Sequence, residues 1–204
     1  ERDVPVNPTS RPTAPIELNG TASRLDHAVV TLSAADIAAI SALCETVTHV
    51  SDVAEASRDW WPLGMRWALD GSVPTLAAAV CRPADTRQVS QLAAYCNEHG
   101  IPLTAAGGRS GVCGASIPLH GGVVLDTTAM QGIVSIDDQS LTVTVLPGTF
   151  GPDLERELAS HSLTVGHYPQ SFDLATVGGW VACRGAGQYS TRYGKIEDMV
   201  VGLE

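Results

Sequence analysis

Three stretches of this sequence have the residue types and spacing to hold a large anionic ligand. The first is Ala106-Gly107-Gly108-Arg109-Ser110-Gly111-Val112-Cys113-Gly114, small residues that follow directly on the apolar run Ile101-Pro102-Leu103-Thr104-Ala105. A backbone with so few side chains can approach a ligand closely and turn several N–H groups toward it, which suits a pyrophosphate. The same composition also suits a tight structural turn. No lysine follows in a G-x-x-x-x-G-K-[ST] frame, so the loop is not a P-loop. Gly108, Gly111 and Gly114 do not fit G-x-G-x-x-G and no helical pattern follows, which disfavours a Rossmann site. The second stretch runs from Gly166-His167-Tyr168-Pro169-Gln170-Ser171 through Phe172-Asp173-Leu174-Ala175-Thr176 to Gly178-Gly179-Trp180. Its hydroxyls at Ser171 and Thr176 stand before a helix start, a second natural place for a phosphate. The third is Cys183-Arg184-Gly185-Ala186-Gly187, one arginine among residues too small to obstruct a ligand. His167 is the candidate for proton transfer, because an imidazole titrates near neutrality, with a hydrogen bond to the neighbouring loop as its alternative role. His27, His49, His99, His120 and His161 have no partner motif. Cys183 reads either as a redox thiol or as a small packing residue.

The elements that must position these stretches follow from periodicity and punctuation. Ser33 and Asp36 form a capping pattern ahead of a helix with Ile37, Ile40, Ala42 and Leu43 on its apolar side. Residues 51–73 lack periodicity and read as irregular, with Asp59-Trp60-Trp61-Pro62 anchoring a loop onto a core. Residues 77–81 predict a buried strand, and Asp85-Thr86 opens a helix with apolar face Val89, Leu92, Ala93 and Cys96, closed by Gly100. Residues 101–104 predict the next strand and residues 123–126 another, a β-α-β arrangement that favours parallel pairing. Residues 133–136 and 141–145 predict a hairpin around Asp137-Asp138-Gln139-Ser140. Helices are expected over 151–159, with Leu154 and Leu158 inward, and over 176–183. The last apolar run, Met199-Val200-Val201-Gly202-Leu203, predicts a strand begun by Glu197 and Asp198. A chain ending inside a strand reads as truncated at its C-terminus, an edge strand being the alternative. Such an unpaired edge favours association with another chain, so a homodimer is among the expected states.

The 204 residues divide into a mobile Pro/Thr/Asn-rich arm over 1–24, a helical N-terminal region over 25–75, and the main domain over 76–204, split near 126/127. Twelve Lys+Arg against 22 Asp+Glu give a net charge of −10. Phosphate neutralisation needs clustered positive charge, so this balance argues against a nucleic-acid binder and against docking on an anionic membrane. No apolar run is long enough to span a bilayer. The five scattered cysteines form no C-x-x-C pair and no zinc spacing. A reducing, cytoplasmic compartment is the expectation, and no metal is expected.

Taken together, Gly107-Gly108-Arg109-Ser110, Thr176-Val177-Gly178-Gly179-Trp180-Val181 and Tyr193-Gly194-Lys195-Ile196-Glu197-Asp198 resemble the FAD-binding half of the vanillyl-alcohol oxidase (PCMH-type FAD-linked oxidase) superfamily. Within it the sequence is most similar to the alkyldihydroxyacetonephosphate (alkylglycerone-phosphate) synthase family, which reads Gly-His-x-Pro-x-Ser before Thr-Val-Gly-Gly-Trp, as residues 166–180 do here. The likeness extends over residues 25–204 and includes an Asp-Trp-Trp-Pro-like run at 59–62. It implies an α+β fold with a small parallel β-α-β subdomain, a larger, mainly antiparallel subdomain, and FAD between them. It also implies three flavin segments: Thr104, Ala105, Ala106, Gly107, Gly108, Arg109 and Ser110 around the diphosphate; Gln170, Ser171, Phe172, Asp173, Leu174, Ala175 and Thr176; and Cys183, Arg184, Gly185 and Ala186. Ala106 departs from the family's glycine, which is harmless unless φ must be positive there. Arg109 stands for a threonine and either adds charge to the diphosphate or points away. The loop position a few residues after Ser110 where related flavoproteins place an attaching histidine holds Cys113 after Val112, so the resemblance implies non-covalent FAD, with Cys113 the minor alternative for attachment. The implied activities are acyl-for-alkoxy exchange on a lipid-like substrate or oxidation of a small 2-hydroxy acid or alcohol, with a non-catalytic binding module as the third reading. The family's later flavin segment and its substrate domain have no counterpart here, so this chain alone is expected to be inactive.

Overall fold

A computed structural model describes residues 16–19 and 23–204, which form two compact units, residues 16–130 and residues 131–204. Most of the arm expected over 1–24 lies outside the described residues. Its described part is packed: Ile16 is buried with Ala54 and Val73, and the main chain of Asn19 and Arg24 bonds to Gly71 and Val73.

The first unit is built on a four-stranded sheet. In chain order come α1 (Ala34–Ser41), β1 (Glu45–Val47), α2 (Val50–Ala56), α3 (Pro62–Leu69), β2 (Ala79–Arg82), α4 (Thr86–Glu98), β3 (Leu103–Ala106) and β4 (Val123–Asp126). The sheet order is β1-β2-β4-β3, with β1 antiparallel and the other three strands parallel. The expected β-α-β unit is therefore present, but β4 lies between its two strands. Gly122 makes that insertion sterically feasible: at φ +66°, a Cβ there would stand 2.2 Å from the carbonyl oxygen of Pro102. Helices cover both faces, which explains why the strands read as continuous apolar runs. Ala79, Cys81, Val123 and Leu125 pack with Ile40, Leu92 and Cys96, while Val80, Val124 and Ala106 pack with Val53 and Ala56 on the other side.

Local signals account for most of these elements. Ser33 and Asp36 form the capping box of α1, and the Asp85 carboxylate accepts from Gln88 N to start α4. On α4, Leu92 and Cys96 are buried and Tyr95 is half-buried, whereas Ala93 faces solvent. Residues 51–73 are not irregular: they carry α2 and α3, whose short helices take their stability from tertiary packing rather than from a periodic pattern.

The second unit pairs a hairpin with helices. β5 (Ile133–Asp137) and β6 (Thr142–Val145) are antiparallel, and the Asp137 carboxylate accepts from the N–H groups of Gln139 and Ser140 in the turn. These N–H groups hold its pKa below the ordinary carboxylate value. Then come α5 (Gly151–Ser160), α6 (Val177–Cys183), α7 (Ser190–Tyr193) and α8 (Ile196–Met199), around a core of Leu154, Leu158, Ala175, Trp180 and Ile196. The strand expected at 199–203 is absent. Asp198 instead bonds back to Lys195 N and begins α8, and residues 200–204 carry no strand.

Candidate cofactor site

The glycine loop leaves the carboxyl end of β3, beside the ends of β2 and β4. In parallel sheets this is the edge at which ligands bind. Thr104, Ala105 and Ala106 belong to β3, and Ala106 pairs with Asp126, so its alanine is an ordinary strand residue without a positive φ requirement. Gly107, Gly108, Arg109 and Ser110 are half-buried in the loop. Among the described residues, the N–H groups of Gly108, Arg109 and Ser110 have no main-chain acceptor. Arg109 adopts φ +53° and folds back, its guanidinium 3.3 Å from the Asp126 carboxylate. Asp126 is buried, accepts from Thr128 N and Oγ1, and stands 3.7 Å from Arg82, which also pairs with Glu45 at 3.0 Å. Two arginines thus face two carboxylates and the charges cancel. What the loop offers an anion is its main-chain N–H groups rather than net positive charge. Sequence reasoning missed Asp126, because nothing local marks an acid that meets an arginine 17 residues away.

The second and third segments both lie in the unit 131–204. Thr176 is fully buried and its hydroxyl accepts from Gly179 N at 3.4 Å, capping α6. Val177 N and Gly178 N donate to the carbonyls of Thr149 and Pro147. All three first-turn N–H groups of α6 thus have acceptors within the chain. Ser171 O accepts from Leu174 N and Ala175 N, which makes Gln170 to Ala175 a self-bonded turn. Gln170, Phe172 and Asp173 line an open cleft of about 530 Å³ with Tyr168, Pro169, Gln188 and Tyr189. Sequence reasoning overlooked Tyr168, Gln188 and Tyr189. The Tyr168 hydroxyl donates to Glu155 at 2.9 Å and its ring packs edge-on against Tyr189.

Cys183, Arg184 and Ala186 are exposed, and Gly185 is half-buried. Arg184 closes α6 at φ +51°, and its guanidinium donates twice to Glu197, at 2.6 and 3.1 Å. Glu197 is therefore not a solvated charge at a strand start. It sits in the first turn of α8, and the Arg184 guanidinium lowers its pKa. His167 is wholly buried. Its ring meets Trp180 edge-on at 4.9 Å, and neither ring nitrogen has a hydrogen-bond partner among the described residues. Burial lowers its pKa, so the imidazole is neutral at pH 7. Gly185 stands on its Nε2 side, where a Cβ would be 3.7 Å away.

Comparison with known proteins now decides the family. The profile of the FAD binding domain matches residues 77–204, well over half of the chain. The chain belongs to the FAD binding domain family. Over 132 residues this domain is 43% identical to the FAD-linked oxidoreductase YgcU of Escherichia coli (strain K12), covering 63% of this chain and 27% of the relative. It is 35% identical over 126 residues to the glycolate oxidase subunit GlcD of Bacillus subtilis, covering 62% and 27%. It is 31% identical over 136 residues to the alkyldihydroxyacetonephosphate synthase of Dictyostelium discoideum, covering 65% and 22%. The chain thus spans about a quarter of the length of these relatives. In fold it superposes on a solved alkyldihydroxyacetonephosphate synthase with a TM-score of 0.80 at 23% identity, over 92% of this chain and 36% of that one. It superposes on p-cresol methylhydroxylase with a TM-score of 0.62 at 19% identity, over 74% and 29%. This FAD-binding domain therefore has the expected α+β, PCMH-type fold with one mainly parallel and one antiparallel sheet, and FAD is its cofactor. The residues fit that group: the glycine loop has uncommitted N–H donors at the ligand edge of a parallel sheet. Among the described residues no helix is long and apolar enough to cross a membrane.

Proposed function

We propose that this chain holds the FAD diphosphate in a flavoenzyme resembling alkylglycerone-phosphate synthase, acting on a lipid-like or hydroxy-acid substrate. The observation that carries the reading is the contrast between two backbones. Among the described residues the N–H groups of Gly108, Arg109 and Ser110 lack main-chain acceptors, whereas the first three of α6 are all committed. An anion is drawn to the donors that have no other partner. The bound flavin supplies the redox chemistry. Residues 104–110 hold the phosphates, the cleft residues Gln170, Phe172 and Asp173 contact the remainder of FAD, and Cys183–Ala186 form the third contact. His167 handles a proton as a neutral imidazole, reached across the side-chain-free Gly185. The flavin is held without a covalent bond, since the loop holds no histidine at the position where Cys113 stands and Cys113 forms no attachment. The GlcD likeness favours a second reading, oxidation of a 2-hydroxy acid by hydride transfer.

The test is Gly108→Val in the longest form of the protein that folds. A branched side chain beside the donors should abolish flavin retention while circular dichroism stays unchanged. A folded variant with undiminished FAD content refutes the reading. Flavin bleaching by glycolate, set against alkoxy exchange on an acylated dihydroxyacetone phosphate, separates the two chemistries.

A further inference from the structure

The glycine loop is gripped from below by a carboxylate that the proposed cofactor contacts do not use. Asp59 is 1% exposed and lies just before α3. Its Oδ1 accepts from Trp61 N at 2.9 Å. Its Oδ2 is fully buried with no hydrogen-bond partner among the described residues and faces the loop, 3.8 Å from where a Cβ of Gly111 would stand. Burial raises its pKa, and the N–H groups of Trp61, Gly114 and Ser116 oppose that effect. The contact is reciprocal, because Trp60 N donates to Gly111 O at 2.9 Å. Gly114, at φ +81°, closes the grip: a Cβ there would press on Ile117 at 3.2 Å and reach the Trp61 ring at 4.0 Å. Trp61 is in turn held edge-on by Trp67.

A buried carboxylate is costly unless its surroundings offset the lost solvation, and here it stands between two segments distant in sequence: Oδ1 takes the Trp61 N–H, and Oδ2 is set against the loop at Gly111. We infer that the Asp59 carboxylate is a positioning residue that locks the 111–116 end of the glycine loop onto the Trp60-Trp61 segment and so fixes the N–H groups that hold the FAD diphosphate. This role rests on the proposed FAD reading. It also gives the Asp-Trp-Trp-Pro run a function beyond packing: the tryptophans anchor and the aspartate aligns.

Asp59→Asn is the decisive variant because it keeps shape and volume. Its oxygen can still accept from Trp61 N, but its NH2 group then meets the donors of the loop. Two readouts are taken on the intact protein: hydrogen exchange in the flavin-free form, and FAD affinity by flavin fluorescence. Exchange at residues 111–116 should quicken, and FAD affinity should fall, each by about ten- to a hundredfold, as expected when a buried polar group is left mismatched with its surroundings. Exchange in the unit 131–204 should not change. Gly114→Ala approaches the same grip from the loop side, and the double variant should be no weaker than the worse single one. A purely space-filling role predicts that Asn behaves as wild type, and that result, or additive effects of the two changes, overturns the inference. Wild-type protein that fails to bind FAD refutes the FAD reading, while the exchange arm still decides whether Asp59 aligns the loop.

Discussion

The burial of His167 makes a sharp claim about pH. The imidazole is wholly enclosed and its pKa is lowered from the ordinary 6.5 by loss of solvation. The unfolded chain therefore takes up a proton at a higher pH than the folded one. The sign follows from linkage: this group's contribution to stability is fully present above about pH 6.5, and it is lost as pH falls from there toward the folded pKa. Within that window each pH unit costs up to about 1.4 kcal/mol. His167→Phe removes the titration while keeping an aromatic edge against Trp180. A larger ring can overpack the site by about 1–3 kcal/mol, but that penalty is the same at every pH. The diagnostic quantity is therefore the slope and not the absolute stability. Urea unfolding at about pH 8 and about pH 5.5, followed by tryptophan fluorescence, should show wild type losing more stability than the variant, by at most about 1.4 kcal/mol over the one pH unit below 6.5. Equal losses in the two proteins would refute the burial argument, and an imidazole NMR signal for His167 titrating at its ordinary pKa would do so directly.

Other outcomes follow from the same geometry. Gly178→Ala should destabilise the unit 131–204, because the added Cβ would lie 2.8 Å from the Pro147 ring and 2.9 Å from its carbonyl; unchanged thermal unfolding would contradict this. Thr176→Val removes the α6 cap and should cost about 1 kcal/mol, with Thr176→Ser restoring most of it; equal denaturant midpoints for all three proteins would count against the cap. A thiol reagent should modify Cys113 and Cys183 in the native protein, while Cys44, Cys81 and Cys96 stay unreactive until denaturation. Burial pushes the Cys81 thiol up to about 12, far from its reactive thiolate, so rapid native labelling of Cys81 would be inconsistent with the core. Acid precipitation of the flavin-loaded protein should release the yellow colour into the supernatant, and colour in the pellet would show a covalent link.

Much of this domain can be read from its sequence because the signals are local. The Ser33 and Asp85 caps, Gly100, the Asp137 turn and the Thr176 cap each depend on residues within about four positions, the range over which a side chain can bond its own backbone. The joint spacing of the glycine loop, Gly166–Ser171 and Thr176–Trp180 marked the flavin family for a related reason. Small residues and hydroxyls are needed wherever a backbone must come close to a ligand. Tertiary structure decided what local spacing cannot. The insertion of β4 between β2 and β3 is a choice among strand partners with equally apolar faces. Helices α2 and α3 have no strong periodicity and are helices because a sheet face and the Trp61–Trp67 pair cover them. Folding also brought Asp126 beside Arg109 and Glu197 beside Arg184, ion pairs across 17 and 13 residues that no local spacing shows. The Gly-Gly start of α6 looked open to a phosphate until folding placed the carbonyls of Pro147 and Thr149 on its donors. Composition and spacing determine which groups can meet a ligand; the fold determines which of them are still free to, because a hydrogen bond or charge satisfied inside the protein is no longer on offer.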